Sequence, residues 1–97
     1  MRPPRLGSGT LIVSVEFMGA LRTIVKASNC SVELEEGDSV STLMKRLRGE
    51  YLNGEGFLER SNLLVMRNGK EISVLGGLQT ELRHGDKVTL IPVSHGG

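Results

Sequence analysis

Aromatic side chains are scarce: Phe17, Tyr51 and Phe57 are all there are, and tryptophan is absent. A core must therefore be assembled from Val, Ile, Leu and Met. Cysteine is limited to Cys30, which excludes an internal disulfide and any cysteine zinc cluster. A reducing, cytoplasmic setting is the natural expectation. The histidines, His84 and His95, lie too far apart in sequence to suggest a metal pair. No apolar run approaches the ~20 residues needed to span a bilayer. The basic start, Met1-Arg2-Pro3-Pro4-Arg5, is not followed by a long apolar segment, so a signal peptide is not expected. Excess charge is missing too. A formal net charge of +1 makes no electrostatic case for nucleic acid or membrane partners. With 97 residues, the chain has room for one modest core and no second one.

What is present is ordered by glycine and by hydrophobic period. Residues 1–10 carry prolines, arginines, Gly7 and Gly9 and read as a flexible leader. Leu11, Val13, Val15 and Phe17 alternate with Ile12, Ser14 and Glu16, which predicts a half-buried strand. Gly19 ends it. Leu21, Ile24 and Val25 suggest a short helical turn. Val32 and Leu34 alternate with Ser31, Glu33 and Glu35 in a second strand, stopped by Glu36-Gly37-Asp38.

Ser39 is placed to cap a helix. Val40, Leu43, Met44, Leu47 and Tyr51 then fall on one helical stripe, with Lys45, Arg46 and Arg48 elsewhere. This predicts one amphipathic helix over roughly 40–52. Residues 53–62 read as a loop, with Phe57 and Leu58 as anchors to the core. Leu63 to Met66 is a strand. Asn68-Gly69 is a hairpin signal, because a type I′ turn needs positive φ at both central positions. Glu71 to Val74 is expected to return antiparallel, with Leu78 and Leu82 plugging a tight crossing after Gly76-Gly77. Lys87 to Val93 forms the last strand. Val88 and Leu90 lie on one face of it, and Thr89, Ile91 and Val93 on the other. Pro92 belongs near a strand end or an edge.

The sequence ends in Gly96-Gly97. Glycine has no side chain, so such a tail can thread a narrow groove. The carbonyl of Gly97 is sterically open once its carboxylate is activated. The bland reading is a polar tail that happens to end in glycine. A strand leading straight into it favours the functional one.

The element order, with a diglycine leaving the last strand, resembles the β-grasp fold of ubiquitin-like proteins, and within it the sulfur-carrier branch. That branch includes the molybdopterin synthase small subunit, the thiamine sulfur carrier and the ubiquitin-related modifier. The matching stretches are Val15 to Arg22, Val32 to Val40, Arg67 to Ile72, Gly85 to Val93, and Gly96-Gly97. His95 before the glycines is closest in kind to the ubiquitin-related modifier. The resemblance implies an α+β fold: a mixed sheet of four to five strands with one main helix on one face. It implies a domain over 11–93, a flexible tail over 94–97 and a monomer.

The functional implications concern a partner. A ubiquitin-activating-type adenylyltransferase, using ATP and magnesium, would adenylate the Gly97 carboxylate. A persulfide sulfur would then convert it to a thiocarboxylate for transfer to a cofactor precursor or a tRNA base. In the modifier variant, a lysine amine would attack instead and form an isopeptide bond. A third possibility is the small subunit of molybdopterin synthase, whose tail enters a large subunit. In every case the chain is no enzyme: it supplies no catalytic residue, binds no metal or cofactor itself, and offers Gly97 as the reactive end. Gly96 and His95 are the tail-threading residues.

The apolar side chains Ile12, Ile91 and Val93, on the face away from the helix, are expected to form one patch that docks the activating enzyme. The other candidates have plain explanations. Cys30 lacks an adjacent base and reads as a small hydrophobe. Gly85-Asp86 reads as a turn, and Lys45, Arg46 and Arg48 as a solvated helix face. Gly76-Gly77 lacks the spacing of a phosphate loop.

Overall fold

A computed structural model describes residues 9–51 and 63–93. The expectations for the leader before Gly9, for the 53–62 loop with Phe57 and Leu58, and for the tail 94–97 lie outside the described residues.

The chain runs β1 (Thr10–Phe17), α1 (Leu21–Val25), β2 (Asn29–Glu35), α2 (Val40–Tyr51), β3 (Leu63–Arg67), β4 (Lys70–Glu71), two short 3-10 turns (Ile72–Val74 and Gly77–Gln79) and β5 (Lys87–Pro92). The strands form one five-stranded sheet in the order β2-β1-β5-β3-β4. β1 lies antiparallel to β2 and parallel to β5, and β3 lies antiparallel to β5 and β4. First and last strands thus meet in the middle of a mixed sheet. This is the ubiquitin-like β-grasp.

The period-2 pattern decides which face is covered. Leu11, Val13, Val15 and Phe17 of β1 point inward and are buried, as are Val32, Leu34, Val65, Val88 and Leu90. Val40, Leu43, Met44 and Leu47 of α2 are buried in the same core cluster. The stripe at i, i+3, i+4 and i+7 gives the helix one apolar side, and the sheet gives it one apolar face. Each such side chain, fully buried, contributes roughly 1.5–3 kcal/mol.

Local signals set the connections. Asn68 and Gly69 both have positive φ (51° and 87°), and Arg67 pairs with Lys70 across them. That is the two-residue type I′ hairpin. Asp38 closes the turn after β2: its Oδ2 accepts the Glu35 N–H at 2.9 Å. Ser39 occupies the N-cap position, its carbonyl accepting the Leu43 N–H at 3.1 Å.

Two expectations are corrected after the hairpin. The return strand is only Lys70–Glu71, and Ile72–Val74 turns into a 3-10 segment. The reason lies in Ile72. The turn drops its side chain into the core, and its carbonyl accepts the N–H groups of Leu75 and Gly76. Leu82 does plug the core, but Leu78 is 53% exposed.

Asp86 is more than a turn residue. It is buried, and its carboxylate accepts bonds from Arg67 Nε (2.8 Å), Asn68 Nδ2 (2.9 Å) and the Arg83 N–H (2.8 Å). Its carbonyl accepts the Ser14 N–H at 3.0 Å. One residue therefore joins β1, through its carbonyl, to the β3–β4 hairpin and the turn into β5, through its carboxylate. Burial alone pushes its carboxyl upward. The donors from Arg67, Asn68 and Arg83 outweigh that and hold it below the ordinary carboxylate value.

A depressed carboxyl stabilises the fold above its unfolded value of about 3.9 and loses that contribution as pH falls further. Asp86→Ala is expected to cost about 2–4 kcal/mol, because Arg67 and Asn68 lose their shared acceptor together. Urea unfolding at neutral pH measures it. Below about pH 4 the gap between variant and parent should shrink as the parent's carboxylate is protonated. A constant gap would argue that packing, not charge, is the source.

Candidate functional site at the end of the last strand

The site is the end of the sheet where β5 leaves it. Around Pro92 the strand is held from both sides. Met18 N–H donates to the Leu90 carbonyl at 3.0 Å, and Leu63 of β3 lies opposite Pro92. Pro92 is the last residue of β5, where its missing N–H interrupts no further ladder bond. Beyond the end of β1, Gly19 has φ +56° and presses close to the Pro92 ring.

The outer face of the sheet divides along the strands. Near the exit it is apolar. Half-buried Leu64 pairs with Ile91, half-buried Met66 pairs with Thr89, and Val93 beyond them is 46% exposed. Midway along, it is polar. Ser14 lies opposite Lys87 and Glu16 opposite Thr89, and Lys87 Nζ pairs with Glu16 Oε1 at 3.2 Å. The Thr89 hydroxyl points to the same Glu16 oxygen at 3.5 Å.

This arrangement corrects the single patch expected from Ile12, Ile91 and Val93. In the parallel β1–β5 register, Ser14 faces Lys87, so Ile12 falls level with Gly85 and Ile91 level with Met18. Six residues of strand separate the two isoleucines, roughly 20 Å. Ile12 is 41% exposed at the far end. There its N–H donates to His84 Nδ1 at 3.1 Å, and a cleft opens between Thr10, Glu36, Glu81 and His84. Ile91 and Val93 stay at the exit, joined by Leu64 and Met66, which sequence reasoning missed. The signal was available. Leu63-Leu64-Val65-Met66 is apolar on both faces, so one face of it had to look outward.

His95, Gly96 and Gly97 lie outside the described residues, and the geometry here concerns the strand that delivers them. Cys30 sits half-buried, packed against the core. On the basic helix face, Arg46 Nη1 donates to the Glu33 carbonyl at 3.1 Å and so covers part of the β2 edge. Among the described residues, no group of three or more His, Cys, Asp or Glu is placed to hold a metal ion. Nor is any described helix long and apolar enough to cross a membrane.

Chemically, such an end offers a paired strand with an apolar platform beside it and, among the described residues, no acid–base pair.

Comparison with known proteins agrees. A curated relative, small archaeal modifier protein 3 of Haloferax volcanii, is 26% identical over 90 residues, covering 88% of this chain and 98% of that protein. The solution structure of the Haloferax volcanii HVO 2177 protein superposes with a TM-score of 0.76 at 26% identity, covering 92% of this chain and 89% of that one. The complex of subunits 1 and 2 of the molybdopterin-converting factor from Helicobacter pylori shares the fold at a TM-score of 0.58 and 24% identity, covering 90% of this chain and 100% of the matched one. The ThiS family model matches residues 15–97, from the second half of β1 through the final diglycine. The chain belongs to the ThiS family, the ubiquitin-like β-grasp sulfur carriers and modifiers.

Proposed function

We propose that this chain is a sulfur carrier that works through the carboxylate of Gly97. The observation that carries the reading is the family match, which runs unbroken from β1 to Gly97. The fold supports it by holding β5 between β1 and β3 as far as Leu90, with β3 alone reaching Pro92, beside an apolar platform.

In this reading a ubiquitin-activating-type adenylyltransferase brings ATP and magnesium. A carboxylate oxygen of Gly97 attacks the α-phosphorus and pyrophosphate leaves. The terminal sulfur of a donor persulfide then attacks the acyl carbon and displaces AMP, leaving an acyl disulfide. A second thiol of the donor attacks the donor-side sulfur. It ends as a disulfide and releases the thiocarboxylate on Gly97. That sulfur passes to a cofactor precursor or a tRNA base in the cytoplasm. Gly96 threads the partner's groove because it has no side chain, and His95 enters just ahead of it. The chain itself acts as substrate and docking surface, as a monomer.

The docking surface is the apolar end of the outer face: Ile91 and Val93 with Leu64 and Met66. Replacing Ile91 with glutamate charges that platform and leaves the opposite, buried face untouched. Ile91→Glu is expected to raise KM for adenylation about 30-fold or more, the equivalent of about 2 kcal/mol at an interface anchor. Its thermal midpoint should stay near that of the parent. A folded variant loaded at the parent's KM would refute the surface.

A second reading has its own support. The curated relative is named a modifier protein, and the same acyl-adenylate can be captured by a lysine amine to give an isopeptide bond. The Helicobacter pylori neighbour, a complex of two subunits, keeps a third role open: the small partner of a molybdopterin synthase large subunit.

Intact-mass measurement of the protein purified from its own cells, without reductant, tests the main reading. A mass gain equal to one oxygen exchanged for one sulfur, localised to Gly97, supports the carrier. Gly97-linked peptides on lysines of other proteins support the modifier. Failure of any activating enzyme from the same cells to adenylate the chain would exclude both.

A further inference from the structure

We infer that Asn68 is a site of covalent modification: its side chain deamidates when the β3–β4 hairpin opens, and two bonds to the start of β5 prevent this while the hairpin is closed. The site is separate from the tail and from the docking surface. Asn68-Gly69 joins the two residue types that this chemistry needs. The Asn68 carboxamide supplies an electrophilic carbon and a leaving amine. Gly69 supplies the attacking backbone nitrogen, with no Cβ beside it to block the approach. Asn68 and Gly69 are both exposed, so water reaches them. Geometry, not access, holds the reaction back.

The carboxamide is tethered at both ends. Its Nδ2 donates to Asp86 Oδ1 at 2.9 Å, and its Oδ1 accepts the Lys87 N–H at 2.9 Å. Beside them the Asn68 backbone N–H donates to the Lys87 carbonyl at 2.8 Å. The side-chain carbonyl thus takes the place of a main-chain one at the end of the β3–β5 ladder. Asp86 is itself fixed, by Arg67 Nε and the Arg83 N–H, both at 2.8 Å. Both tethers run to the neighbouring strand, so turning Cγ toward the Gly69 nitrogen breaks them together.

Once they break, the Gly69 nitrogen attacks Cγ. The N–Cγ bond forms, the Cγ–Nδ2 bond breaks, and the Gly69 proton leaves with Nδ2 as ammonia. Water then opens the cyclic imide. Opening at Cγ gives aspartate, and opening at the backbone carbonyl gives isoaspartate, whose main chain runs through Cγ. Neither product fits the closed clamp. Aspartate points a carboxylate oxygen at Asp86 Oδ1, where the amide donated, and two carboxylates in contact repel. Isoaspartate adds a methylene to the main chain of a hairpin whose type I′ geometry rests on Asn68 and Gly69 at φ 51° and 87°. Each product favours the open hairpin, so the conversion is a lasting record that the clamp has opened.

Peptide mass spectrometry of the full chain, incubated at neutral pH, reads the conversion. The folded parent is expected to convert Asn68 at least about 100-fold more slowly than the same chain unfolded in urea, about 10-fold for each tether. Two variants separate opening of the clamp from unfolding of the domain. Asp86→Ala removes one tether, and Leu43→Ala weakens the core while leaving both. Asp86→Ala should convert about 10-fold faster than the parent, beyond what its unfolded fraction accounts for. Leu43→Ala should convert only as fast as its unfolded fraction allows. Asn68→Asp, which carries one product from the start, should melt about 5 °C or more below the parent. If Asp86→Ala does not fold, proton exchange at the Asn68 carboxamide of the parent takes its place. It should be at least about 10-fold slower than at exposed Asn29, whose Nδ2 donates to Ser28 Oγ at 3.3 Å.

Equal conversion in folded and unfolded chains would overturn the inference. So would a rate in Asp86→Ala that its unfolded fraction explains, or carboxamide exchange as fast at Asn68 as at Asn29. An unchanged melting point for Asn68→Asp would show that the product fits the clamp after all, and would overturn it too.

Discussion

Removal of Gly96 and Gly97 is expected to lower adenylation at least ~100-fold while leaving the melting curve of the domain unchanged. The shortened chain would end in the carboxylate of His95, about 7 Å short of the original position at full extension. Misplacement by a fraction of that distance already costs about two orders of magnitude. The new terminal residue also carries an imidazole where glycine carried nothing. Stability should be untouched, because the last core side chain on β5 is Leu90. Pyrophosphate exchange with the activating enzyme reads the first half of the expectation, and a thermal melt reads the second. Full exchange by the shortened chain would sink the carrier and modifier readings together. Full cellular function of the shortened chain with no exchange at all would leave a non-covalent interaction domain in their place.

The largest effect on stability is expected at Leu43. This residue of α2 is completely buried in the core that both central strands share. Leu43→Ala removes three carbons from a site with no solvent to refill it. Such truncations cost about 2–5 kcal/mol, depending on how far the surroundings collapse. A domain of this size has about 5–15 kcal/mol to lose, and small domains sit at the low end. For 60–100 residues, each kcal/mol lowers the midpoint by about 4–8 °C. The variant should therefore melt roughly 10–30 °C below the parent by circular dichroism. Lys45→Ala, on the exposed side of the same helix, should change stability by no more than about 0.5 kcal/mol. A Leu43→Ala midpoint within about 5 °C of the parent's would mean that α2 does not seat where its stripe points.

The two predictions probe different parts of one design. The core holds β5 rigid in the middle of the sheet. In the proposed reading, the tail that follows β5 presents the carboxylate. The described core side chains are aliphatic apart from Phe17 and Met44, and the proposed reactive residue, Gly97, has no side chain to pack. Destabilising variants should lower loading only by lowering the folded population. Tail variants should lower loading in a fully folded protein.

Part of this was readable in the chain because it is local. A helix stripe is visible in twelve residues, since α2 repeats every 3.6 residues whatever it packs on. The Asn68-Gly69 turn is visible in two residues, because only positive φ closes a two-residue hairpin without splaying the strands. Alternation named the buried side of β1, β2 and β5 for the same reason: side chains on a strand change face at every step. The diglycine needed no structure to be noticed, and the family match extends through it.

Other features were decided only by strands that meet across the whole chain. That Ile12 and Ile91 share a face follows from alternation. That they stand at opposite ends of it follows from the β1–β5 register, which pairs residues more than seventy positions apart. Leu78 and Leu82 look equally apolar in sequence, yet Leu78 is exposed while Leu82, with Ile72, joins the core. Asp86 reads as a turn residue until Arg67, Asn68 and Arg83 close around it. Composition and short-range period determined the elements, the covered face and the end proposed to react. Long-range pairing decided which outward side chains are neighbours, because a register is a property of two strands and neither one carries it alone.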